Sequence, residues 1–149
     1  MNENIIKNYL SNIDYSDTFS KEIEEENTVE ELYLKLVSKK SKLVEILMTI
    51  RNKIVSLFKI KSVESDEQNS NLSVGKKVGL FTIYEIKENY IVSGEKDKHL
   101  DFCIIFKKED KKVYLSTYVK YNNFFGKVYM NIIKPLHKIL VKKSLKELV

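Results

Sequence analysis

Apolar residues recur at three- and four-residue steps through the C-terminal stretch of the chain, residues 123–148. These apolar residues are Phe125, Val128, Tyr129, Ile132, Ile133, Leu136 and Leu140. Their spacing is the period of an α-helix with one apolar face, and the lysines between them form a polar opposite face. A helix of this length spans about 40 Å, at ~1.5 Å per residue. The pattern therefore predicts a long helix that packs along one face of a sheet.

The pattern changes to a period of two between residues 78 and 121, where apolar and polar residues alternate. Alternating segments separated by short polar turns, about ten residues apart, are typical of antiparallel hairpins. The predicted strands are residues 80–86, 90–95, 99–107 and 112–121, and the turns are residues 87–89, 96–98 and 109–111. The sequence therefore predicts an antiparallel meander before the long helix.

The residue pattern in the N-terminal half of the chain predicts one further strand and two helices. Residues 13–23 alternate and place Asp17 on the apolar side of a first strand. Thr28 and Glu31 form a capping box that opens a short helix. A second apolar stripe of helical period follows. The two predicted helices are residues 29–38 and 41–58.

Residues 62–74 are polar and contain no aromatic residue, which predicts a mobile loop inside a single domain of residues 1–149. The order of strand, two helices, meander and long helix predicts an α+β fold. We expect a helix-grip architecture: a curved antiparallel sheet wrapped on the long C-terminal helix, with two short helices after the first strand. Such an arrangement leaves a cavity between the sheet and the helix.

Composition and charge restrict the function only slightly. The chain has 149 residues and a formal net charge of +5, and Arg51 is the only arginine among its 26 basic residues. This excess of lysine over arginine, together with the absence of alanine, is typical of an AT-rich genome. The positive charge is therefore weak evidence for binding to nucleic acid, and we predict no nucleic-acid partner. No apolar run is long enough to span a membrane, no signal peptide is evident, and Cys103 is the only cysteine. We expect a cytoplasmic protein.

Four strings carry a resemblance to a known family. They are DYSDTF at residues 14–19, RNKIVSLF at 51–58, GEKDKHLDF at 94–102 and NNFFGKVYMNIIKPLHKILV at 122–141. In this order and combination they resemble an uncharacterised bacterial family, domain-of-unknown-function family 2867 (DUF2867). That family is similar to the START-like (SRPBCC) helix-grip superfamily, which implies the architecture predicted above. The resemblance implies no activity, because proteins of that fold bind or transform unrelated ligands.

The two histidines and one acidic residue are the candidates for chemistry. His99 and Asp101 share one side of the longest predicted strand. Two interpretations stay open: a proton-handling pair, or a hydrogen-bonded pair that fixes the preceding turn. His137 flanks the apolar stripe of the long helix, where carbonyl groups freed by Pro135 would accept from the imidazole. These are the residue types of a two-histidine, one-carboxylate metal site, but nothing in the sequence brings them together. We predict no metal and no cofactor.

Arg51 lies on the apolar side of the second predicted helix. We expect it to pair with Asp17, or failing that with Asp14, because a guanidinium binds a carboxylate through two N–H groups. Such a pair would fasten helix to strand; alternatively, Arg51 would bind a carboxylate or phosphate of a ligand at the mouth of the cavity. Tyr118 and Tyr129 are the tyrosines expected to give polar groups to an apolar pocket wall.

The sequence supports three functions of different classes. We favour a non-enzymatic protein that binds a small apolar or amphipathic molecule between the sheet and the C-terminal helix. The alternative is a cyclase- or hydratase-like enzyme with His99, Asp101 or His137 as its acid–base group. A third function is binding to a membrane surface or an acidic partner through the lysine face of the last helix. The sequence does not distinguish a monomer from a homodimer.

Overall fold

The structure, a computed structural model, describes residues 2–24, 26–38, 45, 48–49, 52–53, 72–78 and 81–148. Within these residues lie the helices α1 (Asn2–Ile6), α2 (Val29–Ser38) and α3 (Phe124–Lys146). The strands are β1 (Tyr15–Glu22), β2 (Lys77–Val78), β3 (Phe81–Ile86), β4 (Tyr90–Lys96), β5 (Leu100–Glu109) and β6 (Lys112–Tyr121). These elements form an α+β fold, as the two periods of the sequence predict.

Within the described residues, six strands form one open, curved antiparallel sheet in the order β1-β6-β5-β4-β3-β2. The first strand of the chain pairs with the last, so that Tyr15 lies opposite Val119. Strands β3 to β6 form the expected meander of hairpins. The five predicted strands are confirmed, with bounds that differ by no more than two residues. The short edge strand β2 was not predicted.

One face of the sheet is covered by α2 and α3. The predicted capping box opens α2: the backbone N–H of Thr28 donates to Oε2 of Glu31 (3.1 Å), and the N–H of Glu31 donates to Oγ1 of Thr28 (3.3 Å). From α2, Tyr33 packs against Phe106 and its hydroxyl donates to Oγ of Ser93 at 2.7 Å. This contact fixes α2 over strands β4 and β5.

The opposite face of the sheet is also covered, which the sequence did not predict. Ile6 and Leu10, in and just after α1, pack on side chains of the central strands. Those side chains are Val92, Cys103, Ile105 and Tyr118. The side of β5 that carries Cys103 and Ile105 is therefore buried as well. An unbroken apolar run, such as residues 102–106, is typical of a strand that is buried on both faces.

Helix α3 is rotated relative to the stripe that its sequence predicts. Its buried residues are Gly126, Met130, Ile133, Val141 and Leu145. Of the predicted stripe, Ile133 is buried and Tyr129, Leu136 and Leu140 are half-buried, but Phe125, Val128 and Ile132 are exposed. The prediction was therefore right about the helix and wrong about three of the seven residues of its buried face. None of the helices in the described part of the chain, α3 included, has both the length and the apolarity needed to cross a membrane.

Contacts at the start of α3 explain this rotation. Asn123 caps the helix, because its side chain accepts the backbone N–H of Gly126 (3.1 Å). The backbone N–H of Asn122 donates to the carbonyl oxygen of His99 (2.9 Å). Gly126 approaches the same carbonyl so closely that a Cβ atom at position 126 would overlap it. The residue without a side chain must therefore face the β4–β5 hairpin, and that requirement sets the rotation of the helix.

Two sequence predictions fall largely outside the described residues. Of the predicted helix at 41–58, the structure describes residues 45, 48, 49, 52 and 53, which are helical. Arg51 lies outside the described residues, and so does its expected pairing with Asp17 or Asp14. Of the predicted loop at 62–74, residues 72–74 are described.

We expect Gly126→Ala to destabilise the protein by about 1–3 kcal/mol, because the added methyl group would overlap the carbonyl oxygen of His99. At an exposed helix position the same change would stabilise the helix by up to about 1 kcal/mol. The sign of the change in the free energy of unfolding, measured by urea titration, therefore tests the close approach. Lys127→Ala, at the exposed next position, is the control and should shift stability by less than about 0.5 kcal/mol. A Gly126→Ala protein more stable than the wild type would contradict the contact.

Candidate functional site

The interface between β1 and α3 holds a pair of ionisable side chains. The alternation of β1 places Asp17 on the side that faces α3, as the sequence predicts. His137, three turns along α3 from Gly126, brings Nε2 to 3.3 Å from Oδ2 of Asp17. Tyr15, on the same side of β1, donates its hydroxyl to the same carboxylate oxygen at 2.5 Å. The Asp17 and His137 side chains are 10% and 18% exposed, so the pair is largely shielded from solvent.

Three polar atoms in this region are buried and have no hydrogen-bond partner among the residues that the structure describes. They are Oδ1 of Asp17, Oγ1 of Thr117 and Nε2 of His137, whose approach to Asp17 is within ion-pair distance but lacks hydrogen-bond geometry. Asp17 and Thr117 lie directly opposite each other in the β1–β6 register. We call Tyr15, Asp17, Thr117 and His137 the interface cluster. Buried polar atoms in folded proteins are almost always hydrogen-bonded. Three such atoms in one cluster with no partner among the described residues therefore need an explanation.

The electrostatics of the cluster favour a charged carboxylate. Burial raises the pKa of Asp17, but its contacts with His137 and Tyr15 and the positive charge of Lys138 outweigh burial and hold the pKa below its ordinary value of 3.8. Burial, together with the bond to Asp17, raises the pKa of the Tyr15 hydroxyl. Lys134 places its ammonium over the Tyr15 ring, 4.7 Å from the centroid. The cluster is therefore anionic at Asp17, with cationic groups on the α3 side.

His137 does not have the partner that the sequence suggested. We expected a backbone carbonyl freed by Pro135, but the imidazole is turned toward Asp17 and the proline lies on the exposed side of α3. The signal that could have found this pair was present in two separate predictions: a carboxylate on the apolar face of the first strand, and a histidine flanking the buried face of the last helix. Nothing in the sequence linked them, because they are 120 positions apart.

His99 and Asp101 lie at the other end of α3 and contact different asparagines. Asn123 donates its Nδ2 to Nδ1 of His99 (2.7 Å), and Asn122 donates its Nδ2 to Oδ1 of Asp101 (3.0 Å). These bonds hold the first turn of α3 against the β4–β5 hairpin. Within the described residues, no three potential metal ligands converge, and His137 is separated from His99 by about three helical turns.

A family model matches most of the chain and covers the elements described above. The model of a family described as proteins of unknown function (DUF2867) matches residues 9–144. The chain belongs to the DUF2867 family. No curated protein and no solved structure gives a match. The relation of this DUF2867 fold to the START-like superfamily therefore stays a prediction, and the family assigns no activity.

In this DUF2867 chain, the remaining candidate residues do not join the interface cluster. Asp14 accepts the backbone N–H of Tyr121 (2.7 Å) at an exposed position. Tyr118 is buried on the opposite face of the sheet, beneath Ile6 and Leu10. Tyr129 is half-buried on α3, where it packs against the small apolar cluster at the start of the helix. Only Asp17 and His137, of the predicted residues that the structure describes, contact each other across the interface.

A cavity of about 330 Å³ opens at the surface beside α1. It is lined by Asn4, Ile5, Asn8, Glu85 and Tyr90. Glu85 follows an irregularity in the β3–β4 register and accepts hydroxyl bonds from Tyr9 (2.7 Å) and Tyr90 (2.8 Å). The bond from Tyr9 is the main reason why the pKa of Glu85 lies below its ordinary value. Both carboxylate oxygens of Glu85 already accept hydrogen bonds. We therefore regard the interface cluster, rather than this cavity, as the main candidate functional site.

Stability at low pH tests whether Asp17 is charged in the folded protein. Because its folded pKa is lowered from 3.8, Asp17 contributes stability above about pH 4 and loses that contribution as the pH falls through the folded pKa. We expect Asp17→Asn to cost about 1–3 kcal/mol at neutral pH, and this difference from the wild type to shrink toward about pH 3. Urea titrations at both pH values give the two differences.

Glu88→Gln, in the exposed β3–β4 turn, is the control for this experiment and should differ little from the wild type at either pH. A cost of Asp17→Asn that stays constant or grows on acidification would show that the carboxylate is not stabilised in its charged form.

Proposed function

We propose that this DUF2867 protein binds a small amphipathic molecule between the sheet and α3, with the polar end of the molecule at the interface cluster. The observation that supports the proposal is the group of three buried polar atoms, on Asp17, Thr117 and His137, that have no hydrogen-bond partner in the described part of the chain. An unmet donor or acceptor in a shielded site costs about 1–3 kcal/mol. A ligand that bonds to these atoms would recover that free energy.

The chemistry of the cluster defines the polar end of the ligand. Oδ1 of the charged Asp17 accepts a hydrogen bond, so it favours a hydroxyl or amino group. Thr117 both donates and accepts, and Nε2 of His137 takes either role with its tautomer. A hydroxyl group satisfies all three atoms, because it donates one hydrogen bond and accepts two.

The surroundings of the cluster define the apolar end. Thr117 lies between Asp17 on β1 and Ile104 on β5 in the register of the sheet. Two residues further along the same strands, Val119 lies opposite Phe102 on the same face. The polar atoms are thus surrounded by apolar side chains on this face of the sheet. Such a surface favours a ligand whose remaining part is a hydrocarbon chain or an aromatic ring.

The Asp17–His137 pair also supports a second candidate function, an acid–base enzyme of the cyclase or hydratase type. A carboxylate beside an imidazole orients the ring, which suits general acid–base catalysis. His137 is then the acid–base group, since His99 and Asp101 contact the asparagines that hold α3. Cys103 is buried on the other face, and burial raises its pKa to about 12, so it is a poor nucleophile.

Mass spectrometry of the freshly purified protein under native and denaturing conditions tests the binding proposal. We expect an additional small mass in the native spectrum that disappears on denaturation, carried by the wild type and reduced in Asp17→Asn. Asp101→Asn, which changes a carboxylate outside the cluster, is the matched control and should keep the adduct. A mass of the chain alone, or an adduct retained equally by both variants, would contradict binding at the cluster. An adduct that the protein converts to a new mass during incubation would favour the enzyme.

Thr117→Val separates a ligand site from an ordinary structural contact. Because the Thr117 hydroxyl is buried and no described residue bonds to it, its removal should raise the free energy of unfolding of the ligand-free protein by about 1 kcal/mol. The same change should weaken ligand binding by up to about tenfold, through the loss of one hydrogen bond. Urea titration and the fraction of chain carrying the adduct measure the two effects.

Thr18→Val makes the same substitution on the other face of β1, where Oγ1 of Thr18 lies 2.9 Å from Oγ of Ser116. It should lower stability and leave ligand binding unchanged. A loss of stability for Thr117→Val in the ligand-free protein would show that this hydroxyl has a structural partner, and the proposal would lose its main support.

A further inference from the structure

Helix α3 carries a continuous exposed stripe on the side away from the sheet. The outer stripe, as we call it, consists of Phe124, Val128, Ile132, Pro135, Ile139, Lys142 and Lys146, all of which are exposed. Successive members are three or four positions apart, so they lie on one face of the helix. The stripe is apolar over its first two thirds and basic at its C-terminal end.

The apolar part of the outer stripe is unusual for a protein surface. Phe124 is 73% exposed, and Ile132 and Ile139 are each 53% exposed. Single exposed apolar residues are common, but large apolar side chains aligned along one helix indicate a surface that contacts an apolar partner. Most of the large exposed apolar side chains among the described residues belong to α3, which localises the feature.

The charge of α3 indicates the kind of partner. Between Phe124 and Lys146 the helix contains six lysines and no acidic residue. Lys142 and Lys146 continue the outer stripe, and the side chain of Lys142 extends toward the edge of the sheet, where its ammonium lies 5.4 Å from the centroid of the Phe19 ring. Lys127 and Lys138 lie beside the stripe and are also exposed. A partner for this face must therefore be apolar in one part and negatively charged in another.

We propose that the outer stripe binds the surface of an anionic lipid bilayer. An amphipathic helix that lies in a membrane interface places its apolar residues among the upper acyl chains and its lysines at the headgroups. Each lysine near an anionic surface contributes about 1 kcal/mol of binding free energy. This is an interfacial contact by one side of a folded protein, and the helix remains packed on the sheet.

The fold permits this contact because the two sides of α3 have different roles. Met130, Ile133 and His137 face the sheet, while the outer stripe lies on the opposite side of the helix. Membrane contact therefore requires no opening of the interface cluster, and the inference is independent of the proposed function. A bilayer also fits the charge better than a second copy of this chain does. Two copies joined through this face would bring two lysine-rich helices together, and their like charges would repel.

Vesicle sedimentation of the purified full chain tests the proposal. We expect the protein to sediment with vesicles of phosphatidylcholine and phosphatidylglycerol at low salt (~0.1 M), and far less at high salt (~1 M). It should not sediment with vesicles of phosphatidylcholine alone. Lys142→Glu/Lys146→Glu should lower the affinity for the anionic vesicles more than about tenfold. Ile132→Asn/Ile139→Asn should have an effect of similar size through the lost apolar contact.

The matched control is Lys7→Glu/Lys111→Glu, which makes the same change in net charge at exposed positions outside α3. It should lower the affinity by less than about threefold, and urea titration should confirm that every variant is folded. Failure of the wild type to sediment with anionic vesicles would overturn the proposal. An equal loss of affinity in the control pair would also overturn it, because binding would then follow net charge alone. A third result would also overturn the proposal: a wild-type protein that does not bind vesicles but forms a concentration-dependent dimer, which the isoleucine variants abolish. The outer stripe would then join two copies of the chain.

Discussion

The contact between Gly126 and the carbonyl group of His99 determines how α3 lies on the sheet. The backbones approach too closely at this point for any side chain, and the asparagines at positions 122 and 123 fix the same turn with hydrogen bonds to the β4–β5 hairpin. A helix that is held in this way at its first turn has little freedom to rotate about its axis. The rotation then decides which residues of the remaining 20 positions are buried.

Both candidate sites follow from this rotation. His137 lies eleven positions after Gly126, about three turns along the helix, and so faces the same side and meets Asp17 on β1. The outer stripe lies on the opposite side for the same reason. Three of the four strings that resemble the DUF2867 family also contact one another: GEKDKHLDF contacts the start of NNFFGKVYMNIIKPLHKILV, and DYSDTF contacts its PLH portion.

Elements with a strong period were predictable from the sequence, and so were some individual positions. The alternation of β1 correctly placed Asp17 toward the helix, and the capping box correctly opened α2 at Thr28. The rotation of α3 was not predictable from its period, because the helix carries apolar residues on two sides and the residue that decides between them is a glycine. Helix α1 is only five residues long, too short for a helical period to appear. The pairing of Asp17 with His137 depends on that rotation and was missed with it.

Thiol labelling along α3 tests the rotation most directly. Met130→Cys and Ile132→Cys lie two positions apart on opposite sides of the helix, and the native Cys103 is buried and provides the background. Under native conditions we predict that a maleimide reagent reacts readily with a cysteine at position 132 and slowly, if at all, with one at position 130. Both should react after unfolding. Fast labelling at position 130 with protection at position 132 would contradict the rotation, and with it the positions of the interface cluster and the outer stripe.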